Sequence, residues 1–340
     1  MIYSPPFPWF GGKRLIADIV WQHLGDVAHY VEPFFGSGAV LFMRPHPPKI
    51  ETVNDLDRFV VNFWRAVQHD PEQVAHYADN PVFEDDLTAR HIWLVKHGIP
   101  ALAERIPADP EYYDPKIAGW WVWGICSWIG GSWCAGAGAW TEEDGKIVKM
   151  ERGNREVGVS RRLPHLGNPG QGVNRQLPHL GNPGMGVIVK DNLIEYMASL
   201  AERLRRVRIC NGDWARIVTR GALAHGSTVG VFLDPPYDQD IRDRGLYNHD
   251  RPGIAADVLQ WCRDNGDNAR YRIILAGYEG EHNDLESLGW RKIAWKAGRS
   301  YGNSTSKNEN PHLERLWINA NCISDCFPFP DVNTNLHIVN

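Results

Sequence analysis

The sequence predicts an α/β protein, a doubly wound sheet covered by helices on both faces, and three observations carry that expectation. Short apolar runs recur at 29–31, 50–54, 208–211, 229–233, 272–275, 292–295 and 314–318, with helical patterns between most of them; strands that alternate with helices build such a sheet. Two of the runs open directly into turns dense in chemistry, a glycine turn at 36–38 and an Asp-Pro-Pro-Tyr turn at 234–237. The composition, 43% hydrophobic and 23% charged over 340 residues, suits a full buried core in one large domain plus a smaller one and excludes a disordered chain.

The N-terminal stretch Pro8-Trp9-Phe10-Gly11-Gly12-Lys13 offers an aromatic pair, a flexible turn and one cation. The run at 29–31 continues as Glu32-Pro33-Phe34-Phe35-Gly36-Ser37-Gly38-Ala39-Val40, a strand into a glycine-rich turn, and the apolar residues after it read as a helix. Glycine lets a backbone approach a ligand closely, and a helix N-terminus favours a negative group such as a carboxylate. The second strand leads to Asp55, 19 residues after Gly36, the spacing at which an acidic residue grips ribose hydroxyls. The third glycine of a dinucleotide fingerprint is missing, which argues against a dehydrogenase.

Between Asp55 and Asp213 the strand–helix rhythm breaks for about 120 residues. Residues 116–129 read as an apolar helix ended by Gly130-Gly131. Trp120, Trp121, Trp123, Trp128, Trp133 and Trp140 crowd this part and read as the core of an inserted domain rather than as wedges for a nucleic acid. A motif at 163–173, built on Leu-Pro-His-Leu-Gly-Asn-Pro-Gly, recurs at 177–187. Two copies are too few for a solenoid, and their Pro, Gly and Asn content suggests turns. The copies lie in segment 146–190, which carries eight basic and two acidic side chains, a local sum of +6. The chain total is −5, but phosphate affinity follows a local basic footprint rather than the total.

The run at 208–211 ends in Asn211-Gly212-Asp213-Trp214. The run at 229–233 is a buried strand ending in Asp234-Pro235-Pro236-Tyr237. There Asp supplies an anionic acceptor, the proline pair fixes a carbonyl beside it, and Tyr supplies a flat face. Together they suit a planar base gripped by its exocyclic amino group. Ligands of such sheets bind at the carboxyl ends of the strands, so the glycine turn and Asp234 should share one edge. The last two runs complete the sheet, and residues 319–340 read as a polar, partly mobile tail.

No apolar run approaches the ~20 residues that span a membrane, and the N-terminus lacks a signal pattern. The six cysteines show no metal spacing; Cys322 and Cys326 are an isolated pair, and His165 and His179 have no partners at ligand spacing. All six cysteines read as reduced.

Five blocks together resemble one family. They are Phe10-Gly11-Gly12-Lys13, Glu32-Pro33-Phe34-Phe35-Gly36-Ser37-Gly38, Asn54-Asp55, Asn211-Gly212-Asp213-Trp214 (with Trp where the family has Phe) and Asp234-Pro235-Pro236-Tyr237. In this order they resemble the Dam-like, D12 class of S-adenosylmethionine-dependent DNA adenine-N6 methyltransferases. The resemblance covers roughly residues 5–65 and 205–320. It implies a Rossmann-like, doubly wound seven-stranded sheet with its last strand antiparallel. It also implies a discontinuous catalytic domain at 1–75 and 196–319, an inserted, mainly helical and loop target-recognition domain at 76–195, and a tail at 320–340.

The resemblance further implies S-adenosyl-L-methionine as methyl donor, S-adenosyl-L-homocysteine as product, and no metal. The implied partner is double-stranded DNA in the cytoplasm, met by a monomer or homodimer without a membrane. Asp234 and the Pro235 carbonyl would accept the two amino hydrogens of a flipped adenine, Pro236 would belong to the same catalytic turn, and Tyr237 would stack on the base. Gly36, Ser37 and Gly38 would surround the methionine part of the cofactor, with Lys13 near its carboxylate. Asp55 would hold the ribose and Asp213 the cofactor's adenine amino group. Trp9, Phe10, Gly11, Glu32, Pro33, Phe34 and Trp214 would complete that site. In the insert, Arg152, Arg155, Arg161 and Arg162 are expected on phosphates, and Asn168, Arg175 and Asn182 on base edges.

Two other readings stay open. One is a methyltransferase acting on the cytosine amino nitrogen, on RNA adenine or on a glutamine side chain; Asp at 234, rather than Ser or Asn, argues against two of these, and the basic insert argues for DNA. The other is a non-catalytic DNA-binding module of the same fold. Ring-carbon methylation of cytosine needs a nucleophile in a Pro-Cys context, which the chain lacks. The motifs carry no information on the recognised DNA sequence or on a restriction-enzyme partner.

Overall fold

The computed structural model describes residues 5–9, 13–128, 133–134, 140–143, 146–149, 190–236, 253–295 and 314–324. Its strands are β1 (His29–Glu32), β2 (Ile50–Asp55), β3 (Trp140–Glu143), β4 (Lys146–Lys149), β5 (Val207–Asn211), β6 (Val229–Leu233), β7 (Tyr271–Tyr278), β8 (Arg291–Ala294) and β9 (Glu314–Ile318). Its helices are α1 (Ala17–Leu24), α2 (Ala39–Phe42), α3 (Arg58–His69), α4 (Pro71–Ala78), α5 (Glu84–Trp93), α6 (Ile99–Ala108), α7 (Pro115–Ser127), α8 (Lys190–Leu204) and α9 (Ile254–Asn265).

Seven strands form one sheet in the order β5-β2-β1-β6-β7-β9-β8. Strands β5, β2, β1, β6 and β7 are mutually parallel, and β9 runs antiparallel between β7 and β8. This is the Rossmann-like architecture expected, with its last strand reversed. The strand order turns back between β1 and β6. After β1 the chain builds outward through β2 to β5, then returns to place β6 on the other side. Such a switch point opens a crevice above the carboxyl ends of the two strands.

Strands β1 and β6 in the middle of the sheet are buried along their whole length, whereas β5 at the edge is mostly half-buried. Alternate residues divide between two cores. Phe232, Ile274 and Leu316 face one cluster; Val231, Leu233, Leu275 and Trp317 face the other. Helix starts follow from capping chemistry. Asp57, Asp70 and Asp114 accept the N–H groups of Phe59, Gln73 and Ile117, and Pro71 and Pro115 occupy first-turn positions.

The insert contains one element beyond the expected helices and loops. β3 and β4 pair as an antiparallel hairpin, with Trp140 opposite Lys149. The anticipated boundaries at 76 and 196 fall within α4 and α8. Helices α5 to α7 also share one hydrophobic cluster with α1, α3 and α4: Leu87, Leu102, Ile117 and Trp121 join Val20, Phe63, Trp64 and Val74. Trp121, Trp123 and Trp133 are buried. The indole N–H groups of two of them are satisfied internally, Trp123 by Asn80 O (2.8 Å) and Trp133 by Trp121 O (3.0 Å). These tryptophans build core, as read from the sequence; the side chain of Trp140 lies outside the described residues.

A buried charge cluster pins the returning chain to the sheet. Glu51 in β2 accepts from Arg44 (2.9 Å) and takes both Nη groups of Arg203 in α8 (2.6 and 2.9 Å). A bidentate guanidinium–carboxylate pair fixes orientation as well as charge. Among the described residues no helix is long and apolar enough to cross a membrane.

Candidate active site

Parallel register brings the candidate residues to one edge. His29 lies opposite both Ile50 and Val229, so β1, β2 and β6 start level and end within two residues of one another. Along that edge stand, in sheet order, Asp213 after β5, Asp55 ending β2, Glu32 ending β1, and Asp234 after β6.

The loops above this edge are tied to each other. The Asn54 amide donates to Pro33 O (3.1 Å) and Gly212 O (2.9 Å), bridging the turns after β1 and β5. Asn211 Nδ2 and Gly212 N both donate to Asp55 O, at 2.9 and 3.2 Å. Phe34 stacks on Trp214, with ring centroids 6.1 Å apart and planes at 28°. Asn54 and Asn211 belong to two of the five motif blocks, but the sequence assigned neither of them a role of its own; a polar side chain at the carboxyl end of a strand is the signal that marks them.

The glycine turn is packed against the chain's own aromatic residues. Gly36 and Gly38 adopt φ of +48° and +71°, which L-residues with a Cβ rarely tolerate. The space a Cβ of Gly36 would fill is taken by the chain itself, since that atom would lie 2.4 Å from Trp9 Nε1. Trp64 Nε1 donates to Gly36 O (2.9 Å). Trp9 thus lies over the turn, against Phe7 and Trp121. Helix α2 after the turn is only four residues long, so its dipole adds little to anion binding. Ser37 is buried within the turn.

Asp55 accepts the Gly36 N–H at Oδ2 (2.8 Å) and the Asp57 N–H at Oδ1 (2.9 Å). Two carboxylate oxygens offer about four acceptor positions, so the same group retains capacity for hydroxyl donors. Burial, reinforced by the neighbouring charge of Asp57, pushes its carboxyl up to about 7, against the lowering effect of those N–H bonds. Glu32 is buried and accepts from the Tyr30 hydroxyl (3.0 Å). Its carboxyl is held well above the usual range, chiefly by burial and further by the charge of Asp234. Asp213 Oδ1 caps the short helix Trp214–Ile217 through Ala215 N (2.9 Å).

Lys13 sits at the Asp234 end of the row. Its ammonium is 3.1 Å from Asp234 Oδ1 and 3.4 Å from Glu314 Oε2, and 5.8 Å from the centroid of Trp295. The expected partner of Lys13 was a cofactor carboxylate; in this structure it joins the Asp-Pro-Pro turn to the first residue of β9. Pro235 is buried and Pro236 half-buried behind Asp234. Phe10, Gly11 and Tyr237 lie outside the described residues, as do Arg152, Arg155, Arg161, Arg162, Asn168, Arg175 and Asn182.

The edge therefore gathers five carboxyl groups, two of them paired with Lys13, and three of them, Asp55, Glu32 and Glu314, are raised by burial first. Such a site favours a cationic ligand, with acceptors at one end for hydroxyls and at the other for an amino group.

Two comparisons bear on this arrangement. A Type II methyltransferase, M1.LlaDCHI of Lactococcus lactis subsp. cremoris, is 33% identical over 73 residues, 21% of this chain and 25% of that protein, so the chain spans about a quarter of the relative's length. The sequence profile of the D12 class N6 adenine-specific DNA methyltransferases matches residues 9–98, the stretch that carries Lys13, the glycine turn and Asp55. Over that stretch the chain is similar to the D12 class N6 adenine-specific DNA methyltransferases, the family its motifs resemble.

Proposed function

We propose that this chain methylates the N6 amino group of adenine in double-stranded DNA with S-adenosyl-L-methionine as donor. The observation that carries the reading is the row Asp213, Asp55, Glu32 and Asp234 along one sheet edge at the switch point. Asp55 suits the ribose hydroxyls and the Phe34–Trp214 pair lies beside it, fit for a purine ring. The excess of carboxylates suits a sulfonium. When bound, the donor supplies an electrophilic methyl group; the chain's own residues supply everything else.

Asp234 and the Pro235 carbonyl accept the two amino hydrogens and so aim the nitrogen lone pair at the methyl carbon. A donor held there would supply the methyl carbon and retain the electron pair of its S–C bond, and the amino group held by Asp234 and Pro235 would give up one proton to water. Positioning and electrostatics provide the rate. The target atom is inaccessible inside a stacked duplex, so the base is flipped out. The anticipated DNA-binding residues of segment 146–190 supply phosphate and base-edge contacts in this reading.

The test is transfer of labelled methyl groups from S-adenosylmethionine to duplex DNA, followed by mapping of the modified bases. Label on adenine N6 supports the reading. Label on cytosine, on RNA alone or on protein favours the other amino-group methyltransferases, and cofactor binding without transfer favours the non-catalytic module.

A further inference from the structure

Glu314 belongs to none of the five motif blocks and lies beyond the family match, yet it completes the cluster at Asp234. It is the first residue of β9 and pairs in register with Tyr278 at the end of β7. Because β9 runs antiparallel, its beginning lies at the edge where β6 and β7 end. The reversed strand thereby delivers a carboxylate to the site from a part of the chain 80 residues beyond Asp234. Lys13 Nζ is held between the two, 3.1 Å from Asp234 Oδ1 and 3.4 Å from Glu314 Oε2. All three side chains are largely withdrawn from water, at 7% exposure for Lys13, 9% for Glu314 and 19% for Asp234.

We infer that Glu314 is a positioning residue for methyl transfer: it shares the Lys13 ammonium with Asp234, so that Lys13 orients Asp234 without taking over its acceptor capacity. This rests on the function proposed above. Without the Glu314 carboxylate, Asp234 would be the remaining described carboxylate paired with Lys13, and more of the ammonium's charge would fall on it. Asp234 would then face the adenine amino group as a neutralised, weaker acceptor. With Glu314 present the bracket is carboxylate–ammonium–carboxylate, net negative by one charge. That charge matches what methyl transfer demands, since the positive charge of the sulfonium moves onto the attacking nitrogen in the transition state. Burial is the largest influence raising the Glu314 carboxyl, and the charge of Lys13 and its hydrogen bond oppose that rise.

The experiment compares wild type, Glu314→Gln and Glu314→Asp. Three readouts are taken: single-turnover methyl transfer, cofactor affinity by calorimetry, and acylation of Lys13 by acetic anhydride followed by mass spectrometry. Glu314→Gln keeps shape and removes charge, so the transfer rate should fall about tenfold, the scale of one charge-assisted hydrogen bond. Cofactor affinity should stay within about twofold, Lys13 should become severalfold more reactive, and Glu314→Asp should recover part of the rate. An unchanged rate and unchanged Lys13 reactivity in Glu314→Gln overturn the inference. So does a parallel loss of rate, cofactor affinity and thermal stability that Glu314→Asp shares, which marks a structural role. If the wild type transfers no methyl group to DNA, the proposed function fails by itself. Lys13 acylation then still decides whether Glu314 holds the lysine.

Discussion

Asp55 and Asp234 stand on the same edge in contrasting surroundings, and each surrounding gives a prediction. The carboxyl of Asp55 is raised to about 7 from 3.8, so between those values the folded protein holds a proton that the unfolded chain has lost. Folding stability from this group therefore falls as pH rises through that window and levels off above about pH 7. Accepting ribose hydroxyls needs the ionised form, so the pH trend of cofactor binding runs the other way. S-adenosylmethionine should bind about tenfold more weakly at pH 6 than at pH 8, because below the pKa each binding event must release one proton from Asp55. Asp55→Asn should bind weakly and without that slope in calorimetry. A slope that survives in Asp55→Asn would assign the titration to another group, with Glu32 the first candidate. Asp234, by contrast, lies beyond the glycine turn, against Lys13. Asp234→Ala should reduce methyl transfer by about two decades or more, the scale of a lost transition-state acceptor, while cofactor affinity changes only severalfold. Equal losses in both would remove Asp234 from the acceptor role.

At the scale of elements, turns carry the site and each does structural work as well. Asp213 is the clearest case, since its Oδ1 already caps the helix Trp214–Ile217. Asp213→Ala loses that cap, worth about 1 kcal/mol, whereas Asn caps as well as Asp. If the carboxylate also contacts the cofactor, both substitutions should weaken affinity by about one to two decades, the worth of a hydrogen bond to a charged group. Asp213→Asn should then recover the melting temperature and not the affinity. Recovery of both would leave Asp213 as a cap alone. The hairpin β3–β4 was also readable in principle. Asp144-Gly145 separates two short runs, and an Asp-Gly pair is a strong hairpin signal. The runs, Trp140–Glu143 and Lys146–Lys149, are mostly polar and too short for periodicity to mark them as strands.

Across the whole molecule, the insert and the sheet are not independent bodies. Helices α5 to α7 share one buried cluster with α1, α3 and α4, and Arg203 locks α8 to Glu51 beneath the sheet edge. The protein should therefore unfold in a single calorimetric transition, with agreement between calorimetric and van't Hoff enthalpies. Two resolved transitions would show that the insert folds by itself. Under the proposed function, DNA affinity would be a separate property carried by charge. Replacing Arg152, Arg155, Arg161 and Arg162 with alanine should lower affinity and flatten the plot of log affinity against log salt, by about 0.9 for each phosphate that is no longer neutralised. Cofactor binding should be unaffected. An unchanged slope would move the footprint to other basic residues.

The seven strands, the glycine turn and the Asp-Pro-Pro turn were legible in the sequence because each rests on local rules. Apolar runs bury on both faces of a parallel sheet, and glycine and proline restrict the backbone residue by residue. The order of those strands is not local. Only the folded sheet decided that β6 lies beside β1, which sets Asp234 next to Glu32 across the switch point. Only packing decided that Gly36 makes room for Trp9, a side chain 27 positions earlier in the chain. Glu314 reaches Lys13 only because β9 runs backwards, and no pattern within 314–318 announces a partner 301 residues away. Long-range pairs of this kind depend on topology, so the sequence could name the chemistry of the site while the tertiary structure alone chose which groups would meet.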